Sequence, residues 1–525
     1  MKKLFYPILF SCIIVVSACK KNNPNNGPNN TDATKFQLTQ DSIYMIAQED
    51  YYWNNFLPDY KTFNPRGYNN SKNTDLVNFS LEIDGYTQLS KNPQNIDKKT
   101  GVQLPYEYDP FNPGSSKYSF IDDGTANGAL NAVKGDFGLN YFYNRYTDLR
   151  VSLVYPNSPA AAAGLKRGDQ ITAVNGNSNI YIVTDLNDPA NDPAYKYVSN
   201  ALNNGGTVTL KIVNATGTRD VTLNTKSYTV NPVIYTNTYI LNGGKVAGYM
   251  VFNSFVSLDG NPDVKARLDS VFNAFAGKNV TDLVIDLRYN SGGDVNTSTY
   301  LSNLIAPSTV SGSVMNTTYW TANMQNDNYP ILRKKLYKEN GHYKPENQKE
   351  LFAKAGALNV SRVFFLVTGN TASASELTIN NLRPKMDVQL VGDTTYGKPV
   401  GFISNLIING HYLYTPEFEI KNSSGQGGYY TGMPPSGSTP TAGTFQGKQI
   451  YENIVTDFGD KSETLLNQAL TYIQTGAWAT PPKQSTLSLS SNGLAMSGYQ
   501  RRVLAIKTQP PLKNSMYITL KPAKK

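Results

Sequence analysis

The chain has 525 residues, 39% hydrophobic and 17% charged, with a net charge of +9. That balance excludes a disordered chain. Because single cores seldom grow past about 250 to 300 residues, the length implies about three domains. The positive charge favours anionic surfaces, but no basic cluster interleaved with aromatics marks a nucleic-acid binder, so nucleic acid is not expected as a partner.

Lys2 and Lys3 precede an apolar run from Leu4 to Val16, followed by Ser17-Ala18-Cys19. The run is too short for a membrane span and ends in small residues, the pattern of a signal peptide over residues 1–18. Val16-Ser17-Ala18-Cys19 resembles a bacterial lipobox, which implies cleavage before Cys19 and lipid on that residue. Losing Lys2 and Lys3 takes the net charge from +9 to +7. Cys12 leaves with the signal, so no cysteine pair remains for an internal disulfide. Residues 19–34, rich in Asn and Pro, read as a flexible tether. The expected location is the cell envelope, lipid-anchored to a bacterial membrane and facing the periplasm or exterior.

Residues 35–134 read as a small helical domain. Ser42 to Trp53 spaces its apolar residues near the helical period, Leu76 to Leu81 offers a second short helix, and Pro105 to Ser119 reads as a loop. No chemistry is identified there. A β-rich unit follows over 135–230: Gly135-Asp136-Phe137-Gly138-Leu139, the strand Val151 to Val154, Ser158-Pro159 leading to Gly164-Leu165, Gly168-Asp169-Gln170-Ile171 to Val174-Asn175-Gly176, a helix near Ala194 to Leu202, and the strand Val208 to Val213. This order resembles a PDZ domain, which implies a peptide carboxylate held by backbone N–H groups of Gly135, Asp136, Phe137, Gly138 and Leu139. The alternative is a small barrel that only joins two domains.

From 231 to 478 strands and helices alternate. Val246 to Phe252 is a strand, Val264 to Phe275 a helix, Asp282 to Arg288 a buried strand ending in Tyr289-Asn290-Ser291-Gly292-Gly293, and Val363 to Val367 another, running into Ser373 and a helix stopped by Pro384. Such alternation argues an α/β catalytic core whose site lies at the carboxyl ends of the strands. Residues 479–525 form an extension of unknown role, with strand-like pieces such as Thr486 to Leu489.

Ser373 lies in Thr371-Ala372-Ser373-Ala374-Ser375-Glu376, and Lys398 follows 25 residues later in Tyr396-Gly397-Lys398-Pro399. A serine and a lysine together can form a peptidase that needs neither histidine nor metal, and the chain has only two histidines, His342 and His411. Ser373-Ala374-Ser375-Glu376 is also a helix capping box, and a lone lysine is usually a solvated loop residue. Capping alone leaves Gly397-Lys398 unexplained. His411, after the turn pair Asn409-Gly410, reads as a strand-surface residue.

Together with Asp286-Leu287-Arg288-Tyr289-Asn290-Ser291-Gly292-Gly293 and the PDZ-like unit, these motifs resemble the carboxyl-terminal processing (tail-specific) serine peptidases over roughly Leu38 to Gly476. The resemblance implies Ser373 as nucleophile, Lys398 as general base, and an oxyanion hole from the Ala374 N–H and a backbone N–H at Gly292 or Gly293. The sequence shows no metal-ligand cluster or cofactor fingerprint, so no cofactor or metal is expected; the resemblance implies as partners protein or peptide substrates with free carboxyl termini and, through the anchor, a membrane. Many relatives place a glutamine four residues after the lysine to orient it; here Phe402 stands there, with Asn405 as a possible substitute. That departure keeps open a second expectation, a catalytically idle PDZ-like scaffold that binds protein tails at the membrane.

Overall fold

A computed structural model describes residues 33–124, 133–184, 189–259, 261–336, 338–404, 406–436, 445–480 and 516–518. The signal peptide, Cys19, the tether up to Asp32, Asn405 and the strand expected at Thr486 to Leu489 lie outside them. No helix among the described residues is long and apolar enough to cross a membrane.

The first helix, Lys35–Asp50, opens at a capping box in which Thr34 and Gln37 exchange bonds. Its apolar face buries Ile43, Tyr44, Ile46 and Ala47. The second runs Asp75–Thr87, longer than the Leu76 to Leu81 expected, because Phe79, Ile83 and Tyr86 continue the buried stripe by a further turn. These helices share a core with later parts of the chain: Ile43, Tyr51 and Tyr86 cluster with Trp320, Tyr329, Tyr396, Val400 and Phe418. Glu49 fastens the contact by accepting the N–H groups of Ile331 and Leu332.

The β-rich unit is a five-stranded antiparallel sheet in the order Leu139–Arg145, Asp148–Val154, Gln170–Val174, Thr207–Asn214, Gly217–Asn224. The helix Pro193–Asn203 starts at an Asp192 cap and buries Tyr195, Val198 and Leu202 against it. Arg167 docks this unit on the rest of the chain. Although its side chain is almost fully buried, it donates to Tyr289 Oη (2.5 Å), Glu452 (3.1 Å) and the Thr456 carbonyl (3.1 Å). Arg288, also buried, pairs in turn with Asp286 and Glu463.

The third part centres on a seven-stranded sheet ordered Val233–Ile240, Val246–Phe252, Asp282–Asp286, Arg362–Val367, Asp387–Gly392, Phe445–Gln449, Pro435–Ser436, parallel except for its first pair. The run Val363 to Val367 is fully buried, as expected of a strand covered on both faces. Three adjacent strands, Asp282–Asp286, Arg362–Val367 and Asp387–Gly392, send their carboxyl-end loops to one place, and these loops carry Gly292, Ser373 and Lys398. A second sheet, mixed and six-stranded, runs Gly293–Asp294, Met516–Ile518, Val400–Ile403, Phe418–Asn422, Val314–Trp320, Lys349–Leu351.

Candidate active site

Ser373 stands at the mouth of the helix Ala374–Leu382 with φ 61° and ψ −113°. A non-glycine residue there is strained, by about 1–3 kcal/mol, and keeps the conformation only where its surroundings impose it. The surroundings are dense. Ala372 N–H and Ser375 Oγ both donate to the Asn290 carbonyl (3.1 and 3.0 Å), Thr371 Oγ1 donates to the Leu287 carbonyl, and Tyr396 N–H donates to the Thr371 carbonyl.

Only half of the expected capping box is made. Glu376 accepts the Ser373 N–H at 2.8 Å, whereas Ser373 Oγ, fully buried, has no hydrogen-bond partner. The carboxylate is engaged elsewhere: Oε1 takes Thr395 Oγ1 (2.5 Å) and Gly397 N–H (2.8 Å), and Oε2 takes Lys398 N–H (2.9 Å) besides Ser373. Glu376 therefore ties the backbones of Ser373 and Lys398 to one oxygen. The sequence marked it only as a cap, since nothing local shows that donors 19 to 22 residues away converge on it.

Lys398 is 0% exposed and its Nζ has no hydrogen-bond partner. Burial drives its pKa well below the usual lysine value, against the opposing charges of Glu107, Glu417 and Glu376. The Phe402 ring takes up the amine instead, with Nζ 3.7 Å from its centroid and 5.7 Å from that of Tyr118. Phe402 is itself held edge-on by Phe120 and Tyr414. Gly397, at φ +89°, is required because a Cβ would lie 2.5 Å from the Tyr430 carbonyl oxygen and Gly432 nitrogen.

The helical segment, expected to carry no chemistry, walls this site. Tyr118 Oη donates to the Gly397 carbonyl at 2.5 Å, and Lys117 Nζ donates to the carbonyls of Tyr396, Gly397 and Tyr430. Glu107 is locked by the N–H groups of Tyr118 and Ser119. No sequence signal flagged these residues, because the loop that bears them reaches Lys398 only through the tertiary fold. A deeper carboxyl pair, Asp50 and Glu417, is also fully buried. Burial raises both pKa values; Glu49 raises that of Asp50 further, and Asp50 raises that of Glu417.

Gly292 touches the Ser373 segment, since a Cβ on it would lie 2.8 Å from Ser373 Cβ and 2.9 Å from Ala374 nitrogen. Its N–H, however, donates to Asn290 Oδ1 at 2.9 Å. Gly293 is one residue further on, paired with Met516. The Ala374 N–H, first in its helix, has no intrahelical acceptor and sits at the positive end of the dipole. The structure thus gathers Ser373, Ala374, Gly292, Gly293 and Lys398, without a hydrogen bond between Ser373 Oγ and Lys398 Nζ. His411 opens the strand His411–Tyr414 and packs edge-on against Phe79.

In the β-rich unit, Gly135 to Leu139 forms a tight turn into the edge strand Leu139–Arg145. Gly138 sits at φ +79°, where a Cβ would strike Ser158, and Phe137 is buried. Asp136 Oδ1 accepts the Gly138 N–H (2.8 Å) and Tyr228 Oη (2.6 Å), so one of the expected carboxylate donors is already engaged. The edge strand lies beside the helix Pro193–Asn203, with Asn203 Nδ2 donating to Tyr141 Oη. An unpaired edge beside a helix can take up a peptide as an added strand. A cavity of about 430 Å³ between the Asn144 to Arg150 hairpin and the Asn453 to Val455 segment includes none of these site residues.

Residues 246–436 match Peptidase family S41, and residues 150–188 match the PDZ domain. The chain is 26% identical over 271 residues to a carboxyl-terminal-processing protease of Picosynechococcus sp., covering 51% of this chain and 55% of that protein, so it spans about half the length of that curated relative. A crystal structure described as an S41 protease from Bacteroides fragilis superposes with a TM-score of 0.51 at 22% identity, over 83% of this chain and 97% of the other, which shows a shared fold. The photosystem II D1 C-terminal processing protease superposes at a TM-score of 0.41 and 17% identity, over 77% of this chain and 92% of the other.

Proposed function

We propose that this chain, which carries an S41 peptidase domain and a PDZ domain, is a serine endopeptidase that cleaves polypeptides recognised near their carboxyl termini. The observation that carries the reading is Lys398: a fully buried, unpartnered amine with a strongly lowered pKa, its backbone tied through Glu376 to that of a strained serine. A lysine is a base only when neutral, and burial makes it so.

In the proposed reaction Lys398 Nζ takes the Ser373 hydroxyl proton as Oγ attacks the scissile carbonyl carbon. The negative charge that forms on the carbonyl oxygen is held by the Ala374 N–H and by a backbone N–H at Gly292 or Gly293. The proton then passes to the leaving amine, the C–N bond breaks, and an acyl-Ser373 ester remains. Water, giving its proton to the amine, hydrolyses that ester and regenerates the serine. The Gly135 to Leu139 turn and the edge strand after it would hold the substrate's tail. Cleavage before Cys19 and lipid on it would anchor the enzyme in the cell envelope, which mass spectrometry of the mature amino terminus tests.

Ser373→Ala and Lys398→Ala should each abolish cleavage of unfolded proteins with apolar carboxyl termini, and the double variant should lose no more. Lys398→Arg should fail too, because a guanidinium does not deprotonate. Near-normal turnover in a folded Lys398→Ala protein would remove the dyad. One arrangement favours the idle scaffold: Lys398 Nζ rests on Phe402 while the Gly292 N–H is bonded to Asn290. Tail binding without turnover in the parent protein would decide for it.

A further inference from the structure

The three-residue strand Met516–Ile518, near the carboxyl end of the chain, lies between the two halves of the candidate site. On one side it runs parallel to Gly293–Asp294, with Gly293 opposite Met516 and Asp294 opposite Tyr517. On the other it runs parallel to Val400–Ile403, with Phe402 opposite Tyr517 and Ile403 opposite Ile518, and Ser404 N–H donates to the Ile518 carbonyl at 3.2 Å. The first flank continues from Gly292, which abuts Ser373, and the second carries the ring on which Lys398 Nζ rests.

The slot is shaped for a strand. A Cβ on Gly401 would come 2.4 Å from the Phe418 ring and 2.8 Å from the Met516 carbonyl oxygen. Side chains alternate between two apolar faces: Met516 and Ile518 pack with Ile403, Val400 and Phe418, and Tyr517 packs with Phe402 and Tyr414. Ser373 and Lys398 are both 0% exposed, so a polypeptide reaches Oγ only after something moves. Met516–Ile518 can leave without breaking any pairing in the seven-stranded sheet.

We propose that the slot between Gly293–Asp294 and Val400–Ile403 is a binding site for an extended polypeptide strand with apolar side chains. In this structure the chain's own Met516–Ile518 fills it and holds the site closed. An incoming strand must displace this tail, which competes from within the same molecule at a high effective concentration. Main-chain pairing at a sheet edge supplies affinity, and the two apolar faces supply selectivity. The link to turnover rests on the peptidase reading above; strand binding does not.

The test is a reversible lock in the full chain with Cys12→Ser and Cys19→Ser, which removes both native cysteines. Ile403→Cys with Ile518→Cys joins two register partners. The oxidised protein, its disulfide verified by mass spectrometry, should turn over an unfolded protein at least ten-fold more slowly than after dithiothreitol, to which the parent is indifferent. Equal, measurable turnover in the oxidised and reduced forms would overturn the proposal, because a merely structural strand tolerates the lock. In a Ser373→Ala background, a fluorescein-labelled peptide of residues 513–525 should bind the reduced form at least ten-fold more tightly than the oxidised form by anisotropy. Equal binding would overturn the proposal whether or not any variant is active, whereas binding without turnover in any form would overturn only the peptidase reading. Should the cysteine pair not fold or not oxidise, Tyr517→Pro in the full chain, which removes a ladder N–H, should bind the peptide several-fold more tightly than the parent; unchanged affinity overturns the proposal.

Discussion

Replacing Lys398 with methionine should abolish cleavage and yet make the protein more stable at neutral pH. The Lys398 amine is fully buried and unpartnered, and an unsatisfied buried polar group costs about 1–3 kcal/mol. Methionine keeps the length and flexibility of the stem and needs no partner, so the variant should gain about 1–3 kcal/mol from that alone, and more at pH 7, where folding also strips the lysine of its proton. The sign of the pH dependence follows from burial, which depresses the folded pKa. Between that pKa and the unfolded value of about 10.4, the unfolded chain holds a proton that the native state lacks, so native stability rises by about 1.4 kcal/mol per pH unit. The advantage of methionine is therefore largest at or below the folded pKa and shrinks as pH rises toward about 10.4. Urea unfolding of both proteins at about pH 6, 7.5 and 9, followed by tryptophan fluorescence, measures the difference. A variant less stable than the parent by more than about 1 kcal/mol, with a gap independent of pH, would refute the reasoning: Lys398 would then be charged and paired with Glu107, Glu417 or Glu376.

Phe402→Leu removes the π face that favours the charged amine, so the acidic limb of the kcat/KM profile should move to lower pH while kcat falls; a shift to higher pH would contradict that role. Glu376→Gln puts an amide group where two donors point, and loss of the charge-assisted bonds should cost about 3 kcal/mol or more in urea unfolding and abolish cleavage. Asp50→Asn and Glu417→Gln should each stabilise the protein at pH 7. Burial raises both folded pKa values above those of the unfolded carboxyls, so each acid costs stability above the unfolded range, and the gain should fade as pH falls through about 4, where both states are protonated. Arg167→Met removes a buried donor to Tyr289 and Glu452, which keep each other and Arg288 as partners, and should destabilise the chain by about 1–3 kcal/mol, read as a lower urea midpoint.

Where the sequence spoke clearly, neighbouring residues set the outcome. The alternation of Val208 to Val213, the apolar run Val363 to Val367 and the stripe from Ile43 to Ala47 are local patterns, and each became the expected element because burial decides it. Ser373, Lys398 and the Gly292-Gly293 turn were legible as motifs, and parallel strand order then brought their loops side by side. What only the tertiary structure decided are meetings between distant residues. Glu376 reads as a cap until Gly397 and Lys398 fold onto it, Phe402 reads as a missing glutamine until its ring meets Lys398 Nζ, and Tyr118 reads as part of a loop. Met516–Ile518 is too short to show a period, and its place between Gly293 and Phe402 comes from main-chain pairing, which any residue but proline can make. Local sequence carries the period of a strand or helix, but not the identity of the groups that desolvation and pairing bring against it.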